Sequence, residues 1–364
     1  MVFTPKSPEE LADAISGANA PFTITGSGSK DGLGRPVNDA TPLSMAAFAG
    51  VMLYDPAELI LEAGAATPLA DIETLLAAKN QQLAFEPPSG GTIGGAVACN
   101  LSGPRRIKAG ALRDHILMVS GVSGRGEIFK AGARVVKNVT GYDLPKLMAG
   151  SYGTLAALTS VTLKVLPKPE VETTLLIADR SPEDAVCTMS AALQSSLEVS
   201  SAAHVPKSGT YLRVEGIAAS VAFRVERLRE LFPGAAIAAR PPWASIRDVK
   251  GLQGDVIWRV SLPPTEAPLF LQTLQKRFEF DNLLDWGGGL VWISCALTND
   301  AHATAIRNSL PSGHATLFKG PAELREKLEV FQPQPPALAE ITRRVKAAYD
   351  PKGLLNPGRM YRDV

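Results

Sequence analysis

Between Pro88 and Asn100 the chain reads PSGGTIGGAVACN, with Gly90, Gly91, Gly94 and Gly95 inside six consecutive positions. The whole stretch from Glu86 to Thr154 carries 13 glycines in 69 residues, well above the roughly 7% of ordinary usage. Glycine inside a helix or strand costs about 0.5–1 kcal/mol relative to alanine, so this density makes sense where the backbone must come close to something. A second small-residue turn, TGSGSK (Thr25–Lys30), follows the β-type run PFTIT and offers successive unobstructed N–H groups, a concavity suited to a phosphate. Its spacing matches neither the P-loop nor the G-x-G-x-x-G fingerprint, because Asp31 stands where the third glycine would be.

In the first turn-rich stretch Thr92 is placed to cap a helix running through Gly94 to Asn100, with Ser89–Gly91 curling in front of it. Two such amide-lined turns facing one ligand point to a diphosphate. Each charge-assisted N–H contact is worth roughly 1.5–3 kcal/mol, so four or more donors can hold it; Lys30 alone would not.

Elsewhere the pattern is that of an α+β protein. SPEELADAI predicts a helix capped at Ser7, ELILEAG and QQLAFEP predict strands, and TPLADIETLLAAKN predicts a helix with Leu69, Ile72, Leu75 and Leu76 on one face. Beyond LPKPE, the strand-like runs TTLLIA, YLRVEG, VIWRVSLP and LVWISCAL alternate with helical ones, which fits a sheet covered by helices on one side. The QPQPP stretch predicts an extended linker before a last helix and a Pro/Gly-rich tail.

Lys plus Arg total 37 against 36 Asp plus Glu, which leaves no surplus charge to hold nucleic acid. The opening residues lack a basic flank and apolar run, and no long uncharged apolar segment follows. That predicts a cytoplasmic protein that meets a membrane only through partners. Cys99, Cys187 and Cys295 are far apart, without metal-ligand spacing, and are expected as reduced core residues.

TGSGSK, PPSGGTIGGAVACNLSG, LRDHILMVSGVSGRGEIFKAG, RVVKNVTGYDLPKLMAGSYGTLAALTSVTLKVLP and YDPKGLLNPGRMY together resemble the FAD-binding domain of the vanillyl-alcohol oxidase family. Within it, they are similar to the FAD-binding E subunits of bacterial glycolate oxidases. The resemblance implies a two-subdomain, PCMH-type FAD-binding domain over residues 1–168, a second α+β domain with an antiparallel sheet over 169–332, and a return of 333–364 to the first. It implies that Gly26, Ser27, Gly28, Ser29 and Lys30 hold the FAD pyrophosphate with Thr92 and Gly94. Pro88, Gly90, Asn100, Ser102 and Gly103 would lie along the ribityl chain and ring, and Lys137, Tyr142, Asp143, Gly153, Thr154 and Leu158 would line the flavin and adenine ends. Neither loop has the His or Cys of covalent flavin binders, so FAD is expected to be noncovalent. The segment usually reading GSEGTLG is GSYGTLA here, with Tyr152 in the acidic position.

Oxidising a 2-hydroxy acid also needs a base and a cation for the carboxylate. His115, His204, His302 and His314 form no H-x-H pair. Arg259 of WRVSLP is a candidate for the carboxylate and Lys137 for charge on the flavin; Trp286 is expected in the core, and Arg113 and Asp114 as a structural pair. The preferred expectation is an FAD-dependent oxidoreductase subunit of a complex that takes glycolate to glyoxylate, with a catalytic flavoprotein partner and an iron–sulfur partner. A self-sufficient 2-hydroxy-acid or alcohol dehydrogenase and a non-redox assembly scaffold stay open as alternatives.

Overall fold

The computed structural model describes residues 2–134, 142–178 and 181–364. The N-terminal helix Pro8–Ser16 begins where expected, with the Ser7 hydroxyl accepting the Glu10 N–H at 3.2 Å. It buries Leu11 and Ile15 against Phe22, Leu43 and Leu355. The strand Phe22–Thr25 pairs in parallel with Thr41–Ser44. The C-terminal tail runs beside it: Phe22 N donates to Leu354 O at 2.7 Å, and Asn356 N donates back to Phe22 O at 3.0 Å.

A five-stranded antiparallel sheet follows, in the order Val51–Asp55, Ile60–Gly64, Ala156–Lys164, Ile116–Ser123, Ile128–Gly132. The helix Leu69–Ala77 buries Leu69, Ile72 and Leu76 on it, and Leu75 packs at its margin. The strand expected over QQLAFEP is only Gln81–Gln82. Glu86 takes a left-handed φ of 52°, and Pro87 and Pro88 have no N–H to give a ladder, so the chain turns away there.

The second sheet has eight antiparallel strands, in the order Ala236–Ile237, Val171–Ile177, Gly209–Gly216, Val199–Val205, Asp281–Asp285, Leu290–Cys295, Val256–Ser261, His314–Lys319. The helices Pro182–Gln194, Ala218–Leu231, Ala267–Gln275 and Ala303–Asn308 pack on one face, in a core around Trp258, Val260, Leu212 and Phe270. The other face carries a separate cluster with Ile257, Tyr211, Leu283 and Trp292, partly covered by the short helix Trp243–Arg247. Successive residues of a strand alternate sides, so Arg259 shares this second face with Ile257.

A buried ion network ties the two sheets together. Arg213, 1% exposed, forks onto Glu86 at 2.8 and 3.0 Å, and Arg105 reaches Glu215 at 2.7 Å and Glu86 at 3.2 Å. Of the cysteines, Cys295 is buried, Cys99 partly so and Cys187 exposed on its helix, so the core expectation fails for Cys187. His115 ends the short helix Leu112–His115 and is 4% exposed, with Nε2 2.9 Å from Ala109 O.

Candidate functional site

The two glycine-rich turns meet. Gly28 bends the first at φ 76°, and Gly90 and Gly91 bend the second at 79° and 85°, conformations that cost other residues roughly 1–2 kcal/mol. The Thr92 hydroxyl accepts the Gly95 N–H at 3.2 Å and caps the helix Ile93–Cys99 as expected. A Cβ on Gly26 would stand 2.8 Å from the Thr92 hydroxyl oxygen, and one on Gly91 would run into the Ser29 hydroxyl. These glycines therefore let each turn's backbone pack directly against the other turn's side chains.

A cleft opens beside them. Its wall contains Gly26, Ser27, Gly28, Ser29 and Lys30 from the first turn, Thr92 and Gly94 from the second, and Gly153 and Leu158 from a third segment. The remaining expected residues are not in that wall. Pro88 and Gly90 stand outside it in the second turn, where nothing lies within 4 Å of a Cβ on Gly90. The Asn100 amide oxygen accepts the Arg113 N–H at 3.2 Å, and the Ser102 hydroxyl accepts the Leu112 N–H at 2.9 Å. Gly103 N donates to Phe85 O at 3.0 Å. Thr154 is buried, its hydroxyl donating to Ser151 O at 2.8 Å. Tyr142 is 90% exposed, and Asp143 pairs with Lys146 at 2.7 Å. Lys137 lies outside the described residues.

The wall also holds Tyr152, Cys99, Asn356 and Arg359, none of which was singled out as a binding residue. The tail brings two of them. Asn356 accepts the Ile24 N–H at 2.8 Å and donates to Tyr152 O at 2.8 Å, while Arg359 donates to Lys30 O at 2.9 Å. The signal was the LNPGRM run, whose partners lie 204 to 332 residues upstream. The Lys30 ammonium is held below its ordinary range by burial. Burial pushes the Cys99 thiol up to about 11, so it stays protonated and is no nucleophile at neutral pH. Burial likewise raises the Tyr152 phenol.

Trp286 departs from the core expectation. It is partly buried, has a left-handed φ of 52°, and donates its indole N–H to Gly103 O at 3.0 Å. The guanidinium carbons of Arg106 and Arg259 lie 4.2 and 5.1 Å from its ring centroid. Beside it, the Asp285 carboxyl is 2% exposed and accepts the Trp286 N–H at 2.7 Å. Burial, helped by nearby Glu86, pushes it up to about 7 against that hydrogen bond. Arg113 and Asp114 do pair, at 3.8 Å.

Residues 1–132 match the family described as FAD binding domain. Over 364 residues the chain is 37% identical to glycolate oxidase subunit GlcE of Escherichia coli K12, spanning 98% of this chain and 97% of that one. The chain belongs to the GlcE family. More distant likenesses are 33% identity over 190 residues to a D-lactate dehydrogenase of Anaerostipes hadrus, which covers 50% of this chain and 40% of that one. Glycolate oxidase subunit GlcD of Bacillus subtilis is 39% identical over 99 residues, 27% of this chain and 21% of its own. An alkyldihydroxyacetonephosphate synthase structure superposes with a TM-score of 0.67 over 98% of this chain and 76% of its own, at 16% identity, which establishes the shared fold.

As a GlcE-family protein the chain is an FAD-dependent oxidoreductase, and its cleft fits that cofactor. Side chains on Gly26 or Gly91 would close the junction of the two turns, and the cations Lys30 and Arg359 stand at the same wall. Among the described residues no helix is long and apolar enough to cross a membrane.

Proposed function

We propose that this GlcE-family chain is the FAD-holding subunit of a complex that oxidises glycolate to glyoxylate, with a GlcD-like flavoprotein and an iron–sulfur protein as partners. The observation that carries the reading is the meeting of the Gly26–Lys30 and Ser89–Thr92 turns, which puts Gly26–Lys30, Thr92 and Gly94 in one cleft wall. Bare amides from both turns, with Lys30 and Arg359, would bind the pyrophosphate. Gly153 and Leu158 would lie along the rest of the cofactor. When bound, FAD supplies a two-electron acceptor at the cleft.

The chain's own groups would orient the cofactor and exclude water. Cys99, the thiol in the wall, is kept protonated by burial, which favours a noncovalent cofactor. Residues 1–168 would form the cofactor domain, 169–332 the domain that closes over it, and 333–364 the return that supplies Asn356 and Arg359.

The test is chemical. Protein purified with FAD is denatured and filtered; all flavin should pass the filter as intact FAD, and flavin retained on the chain would contradict noncovalent binding. Gly28→Val, which forces a β-branched residue into φ 76°, should be purified without flavin. A yellow Gly28→Val protein of wild-type flavin content would overturn the assignment of the first turn.

A further inference from the structure

Arg106 and Arg259 come from opposite halves of the molecule. Arg106 opens the short helix Arg106–Ala109 just after Gly103, and Arg259 stands mid-strand in Val256–Ser261. Both guanidiniums sit over one indole, that of Trp286, at 4.2 and 5.1 Å. The indole is itself fixed by its hydrogen bond to the Gly103 carbonyl at 3.0 Å.

The other arginines that are buried or partly buried all donate to a carboxylate or a backbone carbonyl. Arg213 and Arg105 reach Glu86 and Glu215, Arg247 reaches Asp248, and Arg35, Arg224, Arg307, Arg325 and Arg359 reach main-chain oxygens. Among the described residues, the side chains of Arg106 and Arg259 alone of this set make neither a hydrogen bond nor an ion pair. Five N–H donors on each are left unused, and two like charges are held near one indole ring, at 4.2 and 5.1 Å from its centroid, in low-dielectric protein.

We propose that Arg106 and Arg259, gathered over Trp286, form a binding site for the carboxylate of a small 2-hydroxy or 2-oxo acid, so that this subunit binds such an anion itself. A planar carboxylate matches the guanidinium fork and satisfies both cations at once. The site borders the flavin cleft through Tyr152, a wall residue close enough to Arg259 for each to shift the other's titration. Burial, and then the repulsion of Arg106, bring the Arg259 guanidinium down to about 10 despite Tyr152 and the Asp285 carboxyl, neither of which it hydrogen-bonds. His314, on the neighbouring strand opposite Ser261, is held below its ordinary range by its surroundings and by the same two arginines. It is therefore neutral at pH 7, and the charges facing the site are the two arginines and the Asp285 carboxyl, itself raised to about 7. The pyrophosphate end of the cleft, at Lys30, is separate, so this is a second anion site. Only the identity of the acid rests on the proposed function.

Isothermal titration of the full-length, FAD-loaded chain with oxalate and with glycolate tests it, with ethylene glycol as the control that lacks a carboxylate. Oxalate should bind saturably and ethylene glycol should not. Arg259→Gln and Arg106→Gln should each weaken oxalate at least tenfold, and Arg259→Lys should fall between. No oxalate binding by the folded wild type, or equal binding by wild type and both Gln variants, would overturn the proposal. So would inorganic phosphate displacing oxalate at equal concentration, because the site would then not be selective for a carboxylate. Should one Gln variant fail to fold, the other, from the opposite half of the molecule, carries the comparison. Flavin content is read from absorbance in the same samples, which keeps loss of FAD, bearing on the proposed function, apart from loss of oxalate binding.

Discussion

The Asp248 carboxylate accepts both the backbone N–H and the hydroxyl of Ser89, at 2.9 and 2.7 Å. Asp248 belongs to the second half of the molecule, and Ser89 to the glycine-rich turn that leads into the cleft wall at Thr92. Burial alone would raise this carboxyl, but Arg247, Ser89 and Lys250 hold it well below the usual carboxylate range. The folded value is depressed, so this contribution is present above the unfolded value of about 3.9 and lost only as pH falls through the folded one. The turn is therefore held throughout the neutral range.

Asp248→Ala should free the Ser89 turn and weaken FAD about tenfold, on the order of 1.4 kcal/mol, with Asp248→Asn in between. Fluorescence titration of flavin-free protein measures it. Tighter FAD binding in the Ala variant would mean that Asp248 competes with the phosphate for Ser89 rather than bracing the turn.

Gly90 and Gly91 separate backbone conformation from crowding. Both have positive φ, but a Cβ on Gly90 meets nothing within 4 Å, whereas one on Gly91 meets the Ser29 hydroxyl and stands 3.3 Å from Lys30 Nζ. Gly91→Ala should lower FAD affinity more than tenfold and Gly90→Ala clearly less, by the same titration. Equal losses would show that conformation alone decides.

Lys346 anchors the tail. Its ammonium donates to Thr154 O at 2.7 Å, to Asp350 at 2.7 Å and to Leu355 O at 2.8 Å. Lys346→Met would leave a fully buried Asp350 carboxylate unpaired, which costs about 3–5 kcal/mol. A matching drop in the urea unfolding free energy, with loss of bound FAD as Asn356 and Arg359 loosen, is the expected result. A drop below about 1 kcal/mol would mean that the Leu354 and Leu355 N–H groups satisfy Asp350 by themselves.

Asp285, pushed up to about 7 by burial, makes stability depend on pH. Between about 3.9 and 7 the unfolded chain releases this proton while the folded chain keeps it, so stability falls as pH rises through that window and levels off above it. Asp285→Asn keeps an oxygen for the Trp286 N–H and cannot titrate. Relative to wild type it should gain on the order of 2–4 kcal/mol between pH 4.5 and 7.5, read from urea midpoints at the two pH values. A constant difference would show that Asp285 titrates alike in both states.

What the sequence determined by itself is local. Glycine density marked where backbones approach, the small-residue turn after PFTIT and the Thr92 cap needed only neighbours to form, and period-3.6 runs set the helices that bury Leu69, Ile72 and Leu76. Strands whose burial depends on what covers them were less legible: VSSAAHV and DNLLD carry no alternating apolar signal, yet they lie inside the eight-stranded sheet. The tertiary structure decided everything that depends on distant partners. It set Asn356 and Arg359 into the cleft wall and joined Ser89 to Asp248. It also set Trp286 at the margin of the second-face cluster, next to two arginines, one from each half of the molecule. Short-range sterics and capping are written in consecutive residues, whereas a charge's partner is chosen only when the folded chain closes the space around it.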